Sequence, residues 1–321
     1  MKAIVREKYG TADEFKLQEL PKPEPKDDEV LVKVHAVSLN ASDVENMKGT
    51  PFYIRSWGLF KPNYKILGSD IAGTVEAVGN KVTKFKIGDK VFGDALYVWG
   101  GFAEFAAIQE KLLTIKPDDI SFEVASTLPQ AAVVAYQGIR YKGKITEGKH
   151  VLINGAGGGS GTFAVQMAKL LGAEVTGVDS TEKLEIMRSV GADYVIDYKN
   201  EDFTKNGKEY DLILDLVASH SILDYKRALK PDGVYGMVGG FMKHIFSTVV
   251  VGGLISLMGK KKMGMFVAKP NEDLDSIIEL IQSGKVKPII DKVYSLKDAP
   301  KAMHYLSKGH AKGKVVISII S

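Results

Sequence analysis

The 321-residue sequence contains no cysteine. Disulfides and thiolate metal sites are therefore excluded, and the redox compartment is left open. Long apolar runs are also missing. The longest, Ile245 to Met258, contains two glycines and is too short to span a bilayer. Strong charge of one sign is absent too: 43 Lys and Arg against 39 Asp and Glu leave a formal net charge of +4. No basic stripe stands out, so nucleic acid is not an expected partner. The first residues, "MKAIVREKYG", read as a charged strand rather than the apolar core of a signal peptide. A soluble, cytoplasmic protein is expected, and the length favours two domains.

What is present falls into two patterns. The first 115 or so residues are β-rich: "EVLVKVHAVSL" (29–39) and "DIAGTVEAVG" (70–79) alternate, and "IGDKVFG" (87–93) reads as a turn and a short strand. Within this part only "ASDVENMKG" (41–49) has helical period. From about Ser121 the pattern changes. "SFEVASTLPQAAVVAYQGIRYKG" (121–143) reads as helices broken at Pro129, and short apolar strands then alternate with helices from His150 to Gly240. That alternation predicts a parallel sheet covered on both faces. The tail from Asn271 predicts two helices and two strands that return to the first domain. The α/β unit would thus be an insertion in a β-rich domain.

"INGAGGGSGTFA" (153–164) sits between a predicted strand (150–154) and a predicted helix (162–171). The usual G-x-G-x-x-G register does not fit, since its last position falls on Ser160 or Thr162. A three-residue spacing does fit: Gly155, Gly158 and Gly161. These would provide a tight turn off the strand, close backbone approach to a pyrophosphate, and close packing of helix on sheet. Gly157 would be a tolerant position between them. Ala164 and Ala168 continue the small face of the helix, whose free N–H groups would meet the phosphates. The run therefore reads as a phosphate cradle. About 20 residues on, Asp179 is placed to accept ribose hydroxyls, which favours NAD. Ser180, Lys183 and Tyr198 lie just beyond and suit a 2′-phosphate, which favours NADP.

Further motifs follow in a specific order: "VLVKVHAVSLNASDVENMKG", "ILGSDIAGTVEAVG", "FKIGDKVFG", "GGFAEFA", "LPQAAVVAYQGI", "VLINGAGGGSGTFAVQMAK", "GADYVIDY" and "GHAKGKVVISI". Across essentially its whole length the chain resembles the medium-chain dehydrogenase/reductase superfamily, in its zinc-free, quinone-oxidoreductase-like branch. "ILDLVASHS", "FVAKPNEDL" and "GKVKPIIDKVYSLKDAPKA" are similar to small reductases related to the mitochondrial reticulon-interacting oxidoreductase. The resemblance implies an α/β fold, a Rossmann-type doubly wound parallel sheet (123–269) inserted in a β-rich GroES-like catalytic domain (1–122 and 270–321).

Zinc-dependent members carry metal cysteines at the positions of Asn40 and Gln130 and a His-Glu at Ser69-Asp70, so this chain is expected to use no zinc. The resemblance places Asn40 and Ser42 beside the nicotinamide. It adds Ala156, Gly159, Ser160, Val217, Gly239, Gly240 and Lys312 to the cofactor contacts, and gives Lys183 and Tyr198 the 2′-phosphate. NADP(H) is favoured and NAD(H) is the alternative, because NADPH-using members have a small residue where this chain has Asp179.

Hydride delivery without a metal requires an activated acceptor, so quinones and α,β-unsaturated carbonyls are the expected small-molecule substrates. Asn40 and Tyr53 are the catalytic candidates, with Asp43 and Tyr64 also on the substrate side. Segment 241–264 reads either as an apolar lid or membrane-surface element, or as a pocket wall at a dimer edge; the second is preferred. "MFVA" (265–268) would be the sixth strand, pairing across a homodimer two-fold. Membrane contact is not expected. A cofactor-binding protein that works through a partner, with little catalysis of its own, is the rival reading.

Overall fold

The computed structural model describes residues 1–319. It has two compact units, one comprising Met1–Gln130, Pro270–Ser276 and Ile290–Ser321, the other Ala131–Lys269 and Ile277–Ile289.

In the first unit, β1 (Lys2–Val5) and β2 (Lys16–Glu19) form a small antiparallel pair. They are followed by β3 (Glu29–Ser38), β4 (Asp70–Val78), β5 (Lys90–Asp94), β6 (Phe105–Gln109) and β7 (Thr114–Ile115). The second unit contributes β8 (His150–Asn154), β9 (Glu174–Asp179), β10 (Tyr194–Asp197), β11 (Tyr210–Asp215), β12 (Leu229–Met237) and β13 (Lys262–Met265). The tail strands β14 (Ile290–Ser295) and β15 (Lys314–Ser318) join the first unit's large sheet, in the order β14-β15-β3-β4-β5-β7, with β6 also on β3. β3 sits in the middle of that sheet and is buried along almost its whole length. Its valines at 30, 32, 34 and 37 anchor a core with Ile71, Val91, Phe102 and Val315.

Register explains how distant residues meet here. Ser38 pairs with Val316 on one side and with Asp70 on the other, and Asp70 pairs with Asp94. Extended by two residues, the antiparallel β3/β15 register sets Asn40 opposite Lys314. The chain then turns into the helix Ala41–Lys48, where the Asp43 carboxylate accepts the Asn40 backbone N–H at 2.8 Å. Gly49, at φ +64°, ends that helix in the left-handed region.

The second unit's sheet is entirely parallel, in the order β10-β9-β8-β11-β12-β13. Its switch point lies between β8 and β11, where a doubly wound sheet binds its ligand beyond the carboxyl ends of the strands. Val151, Leu152, Ile153, Leu212, Ile213 and Leu214 are fully buried, as strands covered on both faces require.

Three boundaries differ from the sequence reading. The helix after the glycines begins at Gly159, not 162, so Gly159, Ser160 and Gly161 form its first turn. Pro129 breaks nothing: the interruption is at Thr127, and Pro129 lies in the first turn of the next helical run, where its missing N–H costs little. The sixth strand is Lys262–Met265 rather than 265–268, because a helical run over 242–258 delivers the chain to the β12 edge earlier. Among the described residues no helix is long and apolar enough to cross a membrane.

Candidate active site

The glycine turn starts where β8 ends. Gly155, at φ +90°, reverses the chain, and the N–H groups of Gly155 and Ala156 donate to the Val178 carbonyl at 2.9 and 3.1 Å. The turn is thereby fastened to β9. Gly158 caps the helix in extended backbone, and the first helical bond is Thr162 N–H to the Gly158 carbonyl. Gly159, Ser160 and Gly161 therefore hold N–H groups with no intrahelical acceptor, at the positive end of a twelve-residue helix.

The space around each glycine distinguishes their tasks. A Cβ on Gly161 would lie 2.1 Å from the Gly155 carbonyl oxygen, so this glycine sets the distance between helix and strand. A Cβ on Gly158 would meet only that oxygen, at 3.4 Å, which leaves open space outside the turn. The pyrophosphate of a dinucleotide fits this arrangement, with open backbone at Gly158 beside unsatisfied donors. Gly157 is not the tolerant position expected of it. Its Cβ would fall 2.7 Å from Lys183 Cβ and 3.2 Å from Asp179 Oδ2.

The Asp179 carboxylate is turned into the glycine loop. Oδ2 accepts the Gly157 N–H at 3.0 Å, and Oδ1 accepts the Ser180 N–H at 2.8 Å with Lys183 Nζ 3.3 Å away. Both side chains are about nine-tenths buried, at 9% and 10% exposure. The lysine charge is thus set against a carboxylate inside the loop, while Tyr198, 56% exposed, stands at the end of β10. Lys183, expected beside Tyr198, is paired with Asp179.

Val217, Gly239 and Gly240 follow β11 and β12, on the same edge of the sheet as the glycine turn. Asp215, which the sequence reading missed, ties this edge together. It accepts from Asn154 Nδ2, the Ala218 N–H and the Tyr235 hydroxyl, each at 2.8 Å. A strand-end Asp in "ILDLV" facing a strand-end Asn in "VLIN" was the available signal.

In the first unit, Asn40 lies inside a buried polar cluster. Asn40 Nδ2 donates to Asp70 Oδ2 at 2.9 Å, and Lys314 Nζ donates to Asn40 Oδ1 at 2.5 Å and to the Leu39 carbonyl at 3.0 Å. Gln130 donates its backbone N–H to Asp70 Oδ2 at 3.3 Å, and its side-chain amide reaches Asp94 Oδ2 at 3.4 Å. Ser42 Oγ donates to Gln130 Oε1 at 3.1 Å. Asn40, Asp70 and Gln130, the positions compared with metal ligands, meet as two amides and a carboxylate, with the Lys314 ammonium on the Asn40 side.

Burial disfavours the charged forms throughout this cluster. It pushes the Asp43 carboxyl up to about 7, raises Asp70 with help from the facing Asp94, raises Asp94 itself, and lowers Lys314. Asp70, Asp94 and Lys314 escaped the sequence reading because their meeting depends on strand register.

The remaining candidates stand apart from these contacts. Tyr53 is 47% exposed on the short helical turn Phe52–Trp57. Its phenol is raised by burial and then by the nearby Glu45, which burial itself holds at about 7. Tyr64 packs against the first unit's core. Lys312 is exposed, and its backbone N–H goes to Asp291 Oδ2 at 2.9 Å. Among the described residues no group of three or more His, Cys, Asp and Glu is arranged to hold a metal ion.

A parallel sheet with a glycine turn at its switch point, joined to a β-rich unit with a polar cluster at a strand end, defines a two-unit dehydrogenase-type fold. Comparison with known proteins agrees. The family models described as "Alcohol dehydrogenase GroES-like domain" and "Zinc-binding dehydrogenase" match residues 26–118 and 190–317. The chain is 36% identical to a 2-methylene-furan-3-one reductase of Solanum lycopersicum, covering 99% of this chain and 79% of the relative. It is 32% identical to the mitochondrial NAD(P)H oxidoreductase RTN4IP1 of Homo sapiens, covering 91% and 82%. The solved quinone oxidoreductase of Coxiella burnetii superposes with a TM-score of 0.87 at 28% identity, covering 100% of this chain and 99% of that one. The chain belongs to the medium-chain dehydrogenase/reductase superfamily, in its zinc-free, quinone-oxidoreductase-like branch, and so to an oxidoreductase family.

Proposed function

We propose that this protein is a zinc-independent, NAD(P)H-dependent oxidoreductase that reduces quinones or α,β-unsaturated carbonyl compounds. The observation that carries the reading is Asn40. Where zinc-dependent relatives are expected to hold a metal thiolate, this chain sets a carboxamide between Lys314 and Asp70. Such a site offers hydrogen-bond donors and no Lewis acid, so it suits an acceptor that is already electron-poor. The names of the tomato and human relatives, an enone reductase and an NAD(P)H oxidoreductase, support the same class.

The glycine turn fits a dinucleotide. Gly158 with the N–H groups of Gly159, Ser160 and Gly161 would hold its pyrophosphate, Val217, Gly239 and Gly240 would line its path, and Asn40 and Ser42 would lie beside the nicotinamide. When bound, the reduced nicotinamide supplies a hydride. An enone that accepted this hydride at its β-carbon would carry negative charge on its carbonyl oxygen until its α-carbon took a proton from solvent. Asn40 would donate to that oxygen as its charge grows. NADPH is the preferred cofactor in this reading. The carboxylate that would repel a 2′-phosphate is countered by Lys183, and Tyr198 is an exposed residue at the end of the neighbouring strand. The open outer edge of β13 supports a homodimer.

Stopped-flow mixing with quinones, enals and enones, using each reduced nicotinamide, tests the proposal. Turnover of an electron-poor acceptor, faster with NADPH, is expected. Tight cofactor binding without turnover of any acceptor would overturn it in favour of a non-catalytic role.

A further inference from the structure

Asn40 is held from both ends, and the chemistry of its two holders determines which way its amide faces. An ammonium can only donate, so the group facing Lys314 is the carbonyl oxygen. The NH2 therefore faces Asp70, whose Oδ2 accepts from Asn40 Nδ2 at 2.9 Å. One N–H of that NH2 goes to Asp70 Oδ2, and the second has no partner among the described residues. The holders are themselves fixed. Lys314 is 2% exposed and also bound to the Leu39 carbonyl, and Asp70 Oδ2 additionally receives the Gln130 backbone N–H.

We propose that Lys314 and Asp70 are positioning residues which lock the Asn40 carboxamide so that its second N–H is presented to the carbonyl oxygen of the acceptor. The inference rests on the reading of the site given above and deepens it. Asn40 would be the donor that touches substrate, and Lys314 would act only through Asn40. The strand register supplies the rigidity: β15 brings Lys314 opposite Asn40, and β4 brings Asp70 beside it. A donor fixed before the reaction begins needs no reorganisation as negative charge develops on the oxygen.

The arrangement also explains a costly choice. An unpaired buried ammonium or carboxylate is expensive, and Lys314 and Asp70 lie 3.9 Å apart with Asn40 bridging them. Removing one alone leaves the other uncompensated. Removing both together leaves a neutral pocket of similar shape in which the amide is free to turn.

The test compares Lys314→Met/Asp70→Asn, which removes both charges, with Lys314→Arg, which keeps a donor. Nicotinamide fluorescence should show dinucleotide affinity within about twofold of wild type for both. In the double variant kcat for an enone should fall roughly tenfold or more. Its primary isotope effect with 4-deuterated cofactor should rise, as hydride transfer becomes slower than the other steps. Lys314→Arg should recover part of the rate. A merely structural role would lower the melting temperature and cofactor affinity while leaving the isotope effect unmoved. A folded double variant with wild-type kcat overturns the proposal. A crystal structure of that variant gives a readout free of activity: the Asn40 amide should leave its original rotamer, and an unchanged rotamer also overturns it. If wild-type enzyme turns over no acceptor, the functional reading fails, and the rotamer comparison still decides whether Lys314 and Asp70 hold the amide.

Discussion

Adding one methyl group at Gly158 and one at Gly161 should separate ligand binding from folding. At Gly161 the new Cβ falls 2.1 Å from the Gly155 carbonyl oxygen and 2.6 Å from Ala156 C and Cα. These are backbone atoms in a turn fastened to β9, so the helix must move. Overpacking of this kind costs roughly 1–3 kcal/mol, offset in part by about 1 kcal/mol gained when alanine replaces glycine in a helix. At Gly158 the backbone is ordinary, with φ −89°, and the nearest protein atom is 3.4 Å away. The fold should accept Gly158→Ala at a cost of up to about 1 kcal/mol, because alanine is a poorer N-cap than glycine although its methyl meets only one protein atom. The methyl would instead occupy the approach of the pyrophosphate. Loss of one charge-assisted contact costs about 1.5–3 kcal/mol, or roughly 10- to 150-fold in affinity. Urea unfolding and a nicotinamide fluorescence titration on each variant make the comparison. Gly158→Ala should lose cofactor while staying folded, and Gly161→Ala should lose more stability than Gly158→Ala. A Gly158→Ala protein that binds both nicotinamides like wild type would refute the placement of the phosphate.

Other expectations follow from the same geometry. Lys183→Ala should weaken NADPH about tenfold or more without weakening NADH, because it leaves the Asp179 carboxylate uncompensated against a 2′-phosphate; equal weakening of both would restore Asp179 as the deciding residue. Activity should survive exhaustive chelation, with well under about one zinc per chain by elemental analysis; stoichiometric zinc lost along with activity would end the metal-free reading. Asp43, held near 7 by burial, binds its proton more tightly folded than unfolded. Its contribution to stability is therefore complete below the ordinary carboxylate range and lost as pH rises through about 7. Melting temperature should fall across that window, and Asp43→Asn should flatten the fall; an unchanged slope would assign it to other groups.

How much of this was legible in the sequence depends on how far apart the interacting residues lie. The strands and the glycine turn were readable because each is written locally, as alternating apolar residues or as "GAGGGSG" between a strand and a helix. The start of the following helix was misplaced because its first turn consists of Gly159, Ser160 and Gly161, residues of low helix propensity. That turn is held by packing on the strand instead. Asp179 and Lys183 were both identified, but their pairing was not. The geometry of "DSTEK" allows the lysine to reach either a ligand or the carboxylate four residues earlier, and only the surrounding loop decides. The Asn40 cluster was the least visible, since Lys314 lies 274 residues from Asn40 in sequence. No local pattern reports a register that spans two sheet neighbours.

These two ion pairs have something in common that neither reveals alone. In the second unit Lys183 offsets Asp179, 3.3 Å away and equally buried. In the first, Lys314 offsets Asp70, which faces Asp94 directly across β4 and β5 and would otherwise add a second buried negative charge there. Like charges set opposite each other in a sheet are destabilising, and burial amplifies the effect. Each lysine thus spends its charge inside the protein, and each leaves a hydrogen-bonding group set in place beside it: the Gly157 N–H on Asp179, and the Asn40 carboxamide on Asp70. A cysteine-free chain has no thiolates with which to hold a metal in its active site. In this one, two buried lysines each stand against a carboxylate, and at Asn40 the proposed consequence is an amide held in place to meet the acceptor.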